Sequence, residues 1–175
     1  MGAVTARRLV AIALFGSAIA GCSAPAPDSP EAVVEGALRS SVEAVTAPRE
    51  YRSGPLPSAI ATAWIARAEA DYGRWYRGPV LDQHLLGLHN VVSALMASPG
   101  PIPTSVDVQR IETGPVVVNG DTAHVQQASI WYVTHYAPGT WSEADVSGVT
   151  MCRYDLRLTA GVWRIETDTC NVSGG

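Results

Sequence analysis

Lysine is missing altogether: the twelve basic residues of the 175 are all arginine, set against sixteen Asp and Glu for a net charge of -4. Removal of a leader ending at Gly21 would take Arg7 and Arg8 with it, leaving 10 minus 16, or -6. That balance excludes the basic surface on which nucleic acid or an anionic lipid sheet would be held. The lack of lysine beside abundant alanine reads as genome composition and carries no mechanistic message. Long apolar runs are also missing. The stretch 9–19 has eleven residues, whereas a bilayer core needs about 20, so no transmembrane helix is expected. Nor is there a nucleophile triad, a phosphate-binding glycine loop, a metal-ligand cluster or a carboxylate pair. No cofactor and no metal is implied, and no residue is assigned a catalytic role. Cysteine is scarce, with three in the whole chain.

What is present begins with an export signal. Arg7 and Arg8 form a positive head, residues 9–19 an apolar segment, and Ala20-Gly21 the small residues a peptidase requires. Ile19-Ala20-Gly21-Cys22 resembles the lipobox of bacterial prolipoproteins, and the composition suggests a GC-rich, actinobacterial genome. The resemblance implies cleavage before Cys22 and acylation of its sulfur, with two or more chains giving stable anchoring. The expected organisation is a lipoprotein signal peptide over 1–21, a lipidated cysteine and tether over 22–29, and a single α+β domain over 30–175. The expected location is the extracytoplasmic face of the cell membrane. Arg7-Arg8 leaves Sec and twin-arginine export both open, with the general secretory route preferred.

Three amphipathic helices are expected next. Ser29 can cap the first, Pro30 suits its opening position, Glu31 places negative charge in the first turn, and Pro48 stops it. Val34, Leu38, Val42 and Val45 form its apolar stripe. A second helix over 58–72 buries Ile60, Trp64, Ile65 and Ala68, with Ser58 as its cap. The aromatic segment 72–77 reads either as a lip around a ligand or, preferably, as a hinge packing Trp75 and a tyrosine inward. The third helix, over 79–97, repeats Leu81, Leu85, Leu88, Val92 and Leu95. His84 and His89 flank that face, but at a spacing of five their rings diverge by about 140°. That is wrong for a shared metal.

After the proline-rich stretch 98–103 the periodicity changes to alternation. Asn119-Gly120 signals a two-residue hairpin, which would pair Val106 with Val133, Asp107 with Tyr132 and Val108 with Trp131. Gly114-Pro115 marks a bulge that can exchange the two faces. With Asp107 and Tyr132 inward, a carboxylate and a phenol would share an apolar setting suited to acid-base work. With Val106, Val108, Trp131 and Val133 inward, the core is dry; this is the better hydrophobic pattern. The loop 136–148 carries Trp141, which reads equally as an exposed contact for a partner or membrane and as a ring folded back over the sheet. A last hairpin turns at Ala160-Gly161 and sets Leu158 by Trp163 and Leu156 by Ile165. The same register puts Cys152 opposite Thr169, so a bulge or wider turn is needed to reach Cys170. With Cys22 acylated, a disulfide between Cys152 and Cys170 is expected in an oxidising compartment.

Three helices followed by long antiparallel strands and a closing Gly-Val-Trp-Arg-Ile hairpin resemble the nuclear transport factor 2-like (SnoaL-like) superfamily. The resemblance implies N-terminal helices packed on a curved antiparallel sheet, a cystatin/NTF2-like cone with an interior pocket. Asp107, Tyr132 and His89 are the candidate pocket residues. The leading expectation is a non-enzymatic envelope lipoprotein that binds a protein partner or a small apolar ligand. The alternatives are a small acid-base enzyme of isomerase or dehydratase type and an accessory subunit of an envelope complex.

Overall fold

Ser29 accepts a hydrogen bond from the Ala32 N–H at 3.2 Å, satisfying one of the orphan donors with which every helix begins. The structure is a computed structural model describing residues 29–51, 53–98, 100–140 and 144–174. The leader, Cys22 and the tether to Asp28 lie outside the described residues, as does Trp141. From the Ser29 cap, α1 runs over Pro30–Glu43 and buries Val33, Val34, Ala37, Leu38 and Val42. It ends earlier than Pro48 alone would require; Val45 lies in the turn beyond it. Helix α2 spans Ser58–Tyr72 and α3 spans Pro79–Ala97. Ser58 is the first helical residue of α2 rather than its cap: Pro57 occupies the cap position and no side chain closes it. The buried stripe of α2 is Ala61, Trp64, Ala68 and Tyr72, with Ile60 and Ile65 partly buried beside it. Trp64 is fully buried and donates its indole N–H to the Ala44 carbonyl at 2.7 Å, so the polar end of a large apolar side chain is satisfied.

Five strands follow, β1 Pro103–Thr113, β2 Val116–Asn119, β3 Thr122–Tyr136, β4 Asp145–Thr159 and β5 Val162–Gly174. They form one antiparallel sheet in the order β1-β3-β4-β5, with β2 also paired to β3. The architecture is α+β, three helices packed on a curved, open antiparallel sheet. Val125, Ile130, Tyr154, Leu156 and Ile165 project from the sheet into the core.

Bulges decide which side chains face inward. The first hairpin turns at Gly120 and Asp121, because Asn119 pairs with Thr122; the positive φ of 63° falls on Gly120, which has no Cβ to oppose it. Gly114-Pro115 breaks the outer strand, and Gln126 and Gln127 form a bulge in β3. A further irregularity at Gln109 brings Val108 opposite Tyr132 and Asp107 opposite Val133. Paired residues share a face, so neither expected register forms: Val106, Val108 and Tyr132 pack toward the core, while Asp107, Trp131 and Val133 alternate to the other side. There the Arg110 guanidinium lies 3.8 Å from the Trp131 ring centroid.

The second hairpin turns at Ala160-Gly161, both at positive φ, and pairs Leu158 with Trp163 and Leu156 with Ile165. Glu166 is then the extra residue of a bulge, and Cys152 comes to face Cys170. The two form the disulfide, with Cα atoms 4.1 Å apart.

Candidate functional site

The Glu166 bulge reverses the alternation of β5. Without it Asp168, Cys170 and Val172 would point away from the helices; with it they fall on the inner face beside Tyr154, Cys152 and Thr150. Glu166 itself is held outside by Arg77 and Arg157. These two guanidinium groups, Arg77 first, keep its carboxyl below the usual carboxylate range. Arg77 reaches it because residues 75–77 run alongside β5: the Ile165 N–H donates to the Trp75 carbonyl at 2.8 Å and the Arg77 N–H to the Ile165 carbonyl at 3.1 Å. The segment 72–77 is therefore the hinge of the preferred reading, with Tyr72 and Tyr76 buried. The Trp75 ring lies across Gly36, and its indole donates to Ser40 Oγ at 2.8 Å.

Between this hinge, the end of α1, α3 and the sheet lies a cavity of about 360 Å3. Val42, Val45 and Val172 supply much of its apolar lining, and Tyr132, Thr134 and Thr150 its neutral polar groups. The Tyr132 ring is laid over Gly148, where an added Cβ would come within 2.7 Å of it. Glycine inside a strand weakens it and so marks a close approach. The Tyr132 hydroxyl stands 3.5 Å from Thr150 Oγ1.

His84 forms another part of the wall. Its Nε2 is 2.8 Å from Asp168 Oδ2, and the two side chains are only 24% and 11% exposed. The ring is wedged against Tyr76 and Tyr72, at centroid distances of 4.3 and 5.3 Å. Asp168 thereby fixes the orientation of a histidine that borders the cavity, the arrangement by which a carboxylate sets an imidazole tautomer. Burial pushes the Tyr72 phenol up to about 12. It raises Tyr76 and Tyr154 further, aided by the negative charge of Asp168. All three are hydroxyl donors rather than phenolates at any ordinary pH. The Tyr76 and Tyr154 hydroxyls are buried, and neither has a hydrogen-bond partner among the described residues.

Of the expected pocket residues, Tyr132 lines the cavity, while Asp107 and His89 do not. Asp107 is on the outer face, 3.0 Å from His135 Nε2, because the register brings it opposite Val133. His89 is exposed on α3. The trio Asp107, Tyr132 and His89 therefore does not assemble; His84, Asp168 and Tyr132 stand around the cavity instead. His84 and Tyr132 were both candidates in the sequence, His84 beside the apolar face of the third helix and Tyr132 through the expected hairpin register. Nothing in the local sequence marks Asp168, whose orientation depends on the bulge. No group of three His, Cys, Asp or Glu side chains among the described residues is arranged to hold a metal ion.

A larger depression of about 880 Å3 lies on the outer face, where the breaks at Gly114-Pro115 and at Gln126-Gln127 meet. Its lining is mainly polar, and its histidine, His124, is tied to Asp155 at 2.7 Å. The convergence of apolar surface with neutral polar groups that marks small-molecule sites is found in the smaller cavity.

No family model and no curated protein matches the chain in sequence. Among solved structures it is similar to the intermembrane space region of the chloroplast protein ARC6, with a TM-score of 0.50 and 14% identity over 82% of this chain and 94% of that one. At this identity the likeness concerns the fold alone, helices packed on an antiparallel sheet.

Proposed function

We propose that the protein is a lipid-anchored lipoprotein of the extracytoplasmic membrane face that binds a small, largely apolar ligand without transforming it. The observation that carries this reading is the cavity of about 360 Å3 between α1, α3 and the sheet, with valines on its walls and hydroxyls at Tyr132, Thr134 and Thr150. Its size falls in the range of roughly 300–1,000 Å3 usual for ligand pockets. The anchor rests on Ile19-Ala20-Gly21-Cys22 and the preceding apolar segment. Mass spectrometry of the protein recovered from membranes would test it directly: an acylated N-terminal Cys22 is expected, and an unmodified Met1 or Cys22 would refute it.

Binding is tested with the full chain and a neutral probe, tert-butylbenzene. The probe should shift the ring signals of His84 and Tyr132, and Val45→Trp, which fills the cavity from its rim, should abolish the response. Absence of binding, or binding unaffected by Val45→Trp, would sink the reading.

A second reading, a small acid-base enzyme, is favoured by one specific feature, the His84–Asp168 pair. With Nε2 bonded to Asp168, the other ring nitrogen of His84, Nδ1, is the candidate base, and Asp168 holds the ring in position. This reading predicts that a bound ketone such as cyclohexanone exchanges its α-hydrogens with deuterium oxide faster than in buffer, and that His84→Gln stops the exchange. Exchange at the buffer rate would exclude it for that substrate class.

A further inference from the structure

Neither an arginine nor a carboxylate lines the cavity, and its one basic side chain is His84. Arg77 and Arg157 are turned outward onto Glu166, and Arg110 covers Trp131 on the opposite face of the sheet. The carboxylate of Asp168 lies on the inner face of β5, two residues from the cavity-lining Cys170. Its one ion-pairing partner among the described residues is His84. Three phenol rings, Tyr76, Tyr132 and Tyr136, also border the space. Aromatic side chains around a cavity attract a cation through their quadrupoles, most strongly when water is excluded. An anion entering the same space would find hydroxyls and no basic side chain other than His84, which is already bonded to Asp168, so its desolvation would be poorly repaid.

From these features we infer that the cavity takes an amphipathic organic cation, its ammonium group held among Tyr76, Tyr132 and Tyr136 near Asp168 and its apolar part against Val42, Val45 and Val172. The inference rests on the ligand-binding reading above and narrows it to a chemical class. The lining tyrosines serve as rings and neutral oxygens, and the carboxylate acts at short range through His84 rather than as a direct contact.

The test compares three benzene derivatives of nearly the same shape on the full chain: phenyltrimethylammonium, tert-butylbenzene and benzenesulfonate. Affinities are read by calorimetry, and the site by the His84 and Tyr132 ring signals. The cation should bind about tenfold or more tightly than the neutral isostere, with the sulfonate weakest. Asp168→Asn should remove most of that preference. Tyr132→Leu, which does not touch the Asp168 pair, should also reduce the preference. Equal affinity for cation and neutral isostere, or tightest binding of the sulfonate, would overturn the inference and leave the ligand-binding reading intact. Failure of all three probes to bind would overturn both.

Discussion

His84 Nε2 lies 2.8 Å from Asp168 Oδ2, so a single hydrogen bond ties the early turns of α3 to the inner face of β5. Both side chains are mostly withdrawn from water, and removing one leaves the other without its partner. Asp168→Ala is therefore expected to cost about 1–3 kcal/mol, read as a lower urea midpoint. His89→Ala, on the exposed side of the same helix, should change stability by less than about 0.5 kcal/mol. Equal effects of the two substitutions would mean that the pair does not bear on the fold.

Two glycines are expected to resist alanine for packing reasons. In α1, Gly36→Ala should gain about 1 kcal/mol of helix propensity, yet its Cβ would sit 2.5 Å from the Trp75 ring. That ring is held by the bond to Ser40 and cannot swing away freely, so net destabilisation of roughly 1–3 kcal/mol is expected. In β4, Gly148→Ala would push against Tyr132 and should weaken probe binding as well as stability. A thermal melt and a probe titration on each variant separate the two effects; a stabilised Gly36→Ala variant would show that Trp75 moves aside at no cost.

The Cys152–Cys170 disulfide joins residues 18 apart in sequence, and Cys170 lines the cavity. In the loop-entropy account, a crosslink over this span is worth roughly 3 kcal/mol. Replacing both cysteines by alanine should lower stability by about that amount and reduce probe affinity, since β5 then loses its covalent register beside His84. An unchanged urea midpoint after treatment with a phosphine reductant would contradict the role given to the bond.

Stability should also depend on pH through His135. Asp145, at 2.7 Å, and Asp107, at 3.0 Å, bracket its ring and raise its pKa above the usual imidazole value. The folded state thus binds the proton more tightly than the unfolded chain. The resulting stabilisation is fully present below the unfolded value of about 6.5, provided both carboxylates remain ionised, and is lost as pH rises through the raised folded value. Urea midpoints for the parent protein and His135→Gln should therefore converge between neutral and mildly alkaline pH. A constant gap would show that the bracket carries no proton linkage.

Helix positions were legible in the sequence because caps, prolines and apolar stripes are local signals. The bounds expected for the second and third helices coincide with α2 and α3. The closing hairpin was legible for the same reason: Ala160-Gly161 sets its turn, and the need for a bulge or a wider turn to bring Cys152 to Cys170 follows from counting residues. The first hairpin was not, since a turn one residue later than expected and irregularities at Gln109 and Gln126-Gln127 each alter the pairing. A one-residue slip exchanges faces, which is how Asp107 left the interior and Tyr132 entered it. Asp168 shows the same effect in β5: the disulfide needed a bulge or a wider turn, and Asp168 faces inward because a bulge falls at Glu166.

The most direct measurement is a crystal structure of the full chain grown with tert-butylbenzene. The account predicts the probe between Val42, Val45 and Tyr132, with His84 still bonded to Asp168. A cavity closed by inward collapse of Tyr132 and Val172, or a probe seated on the outer face near His124 and Arg153, would contradict it.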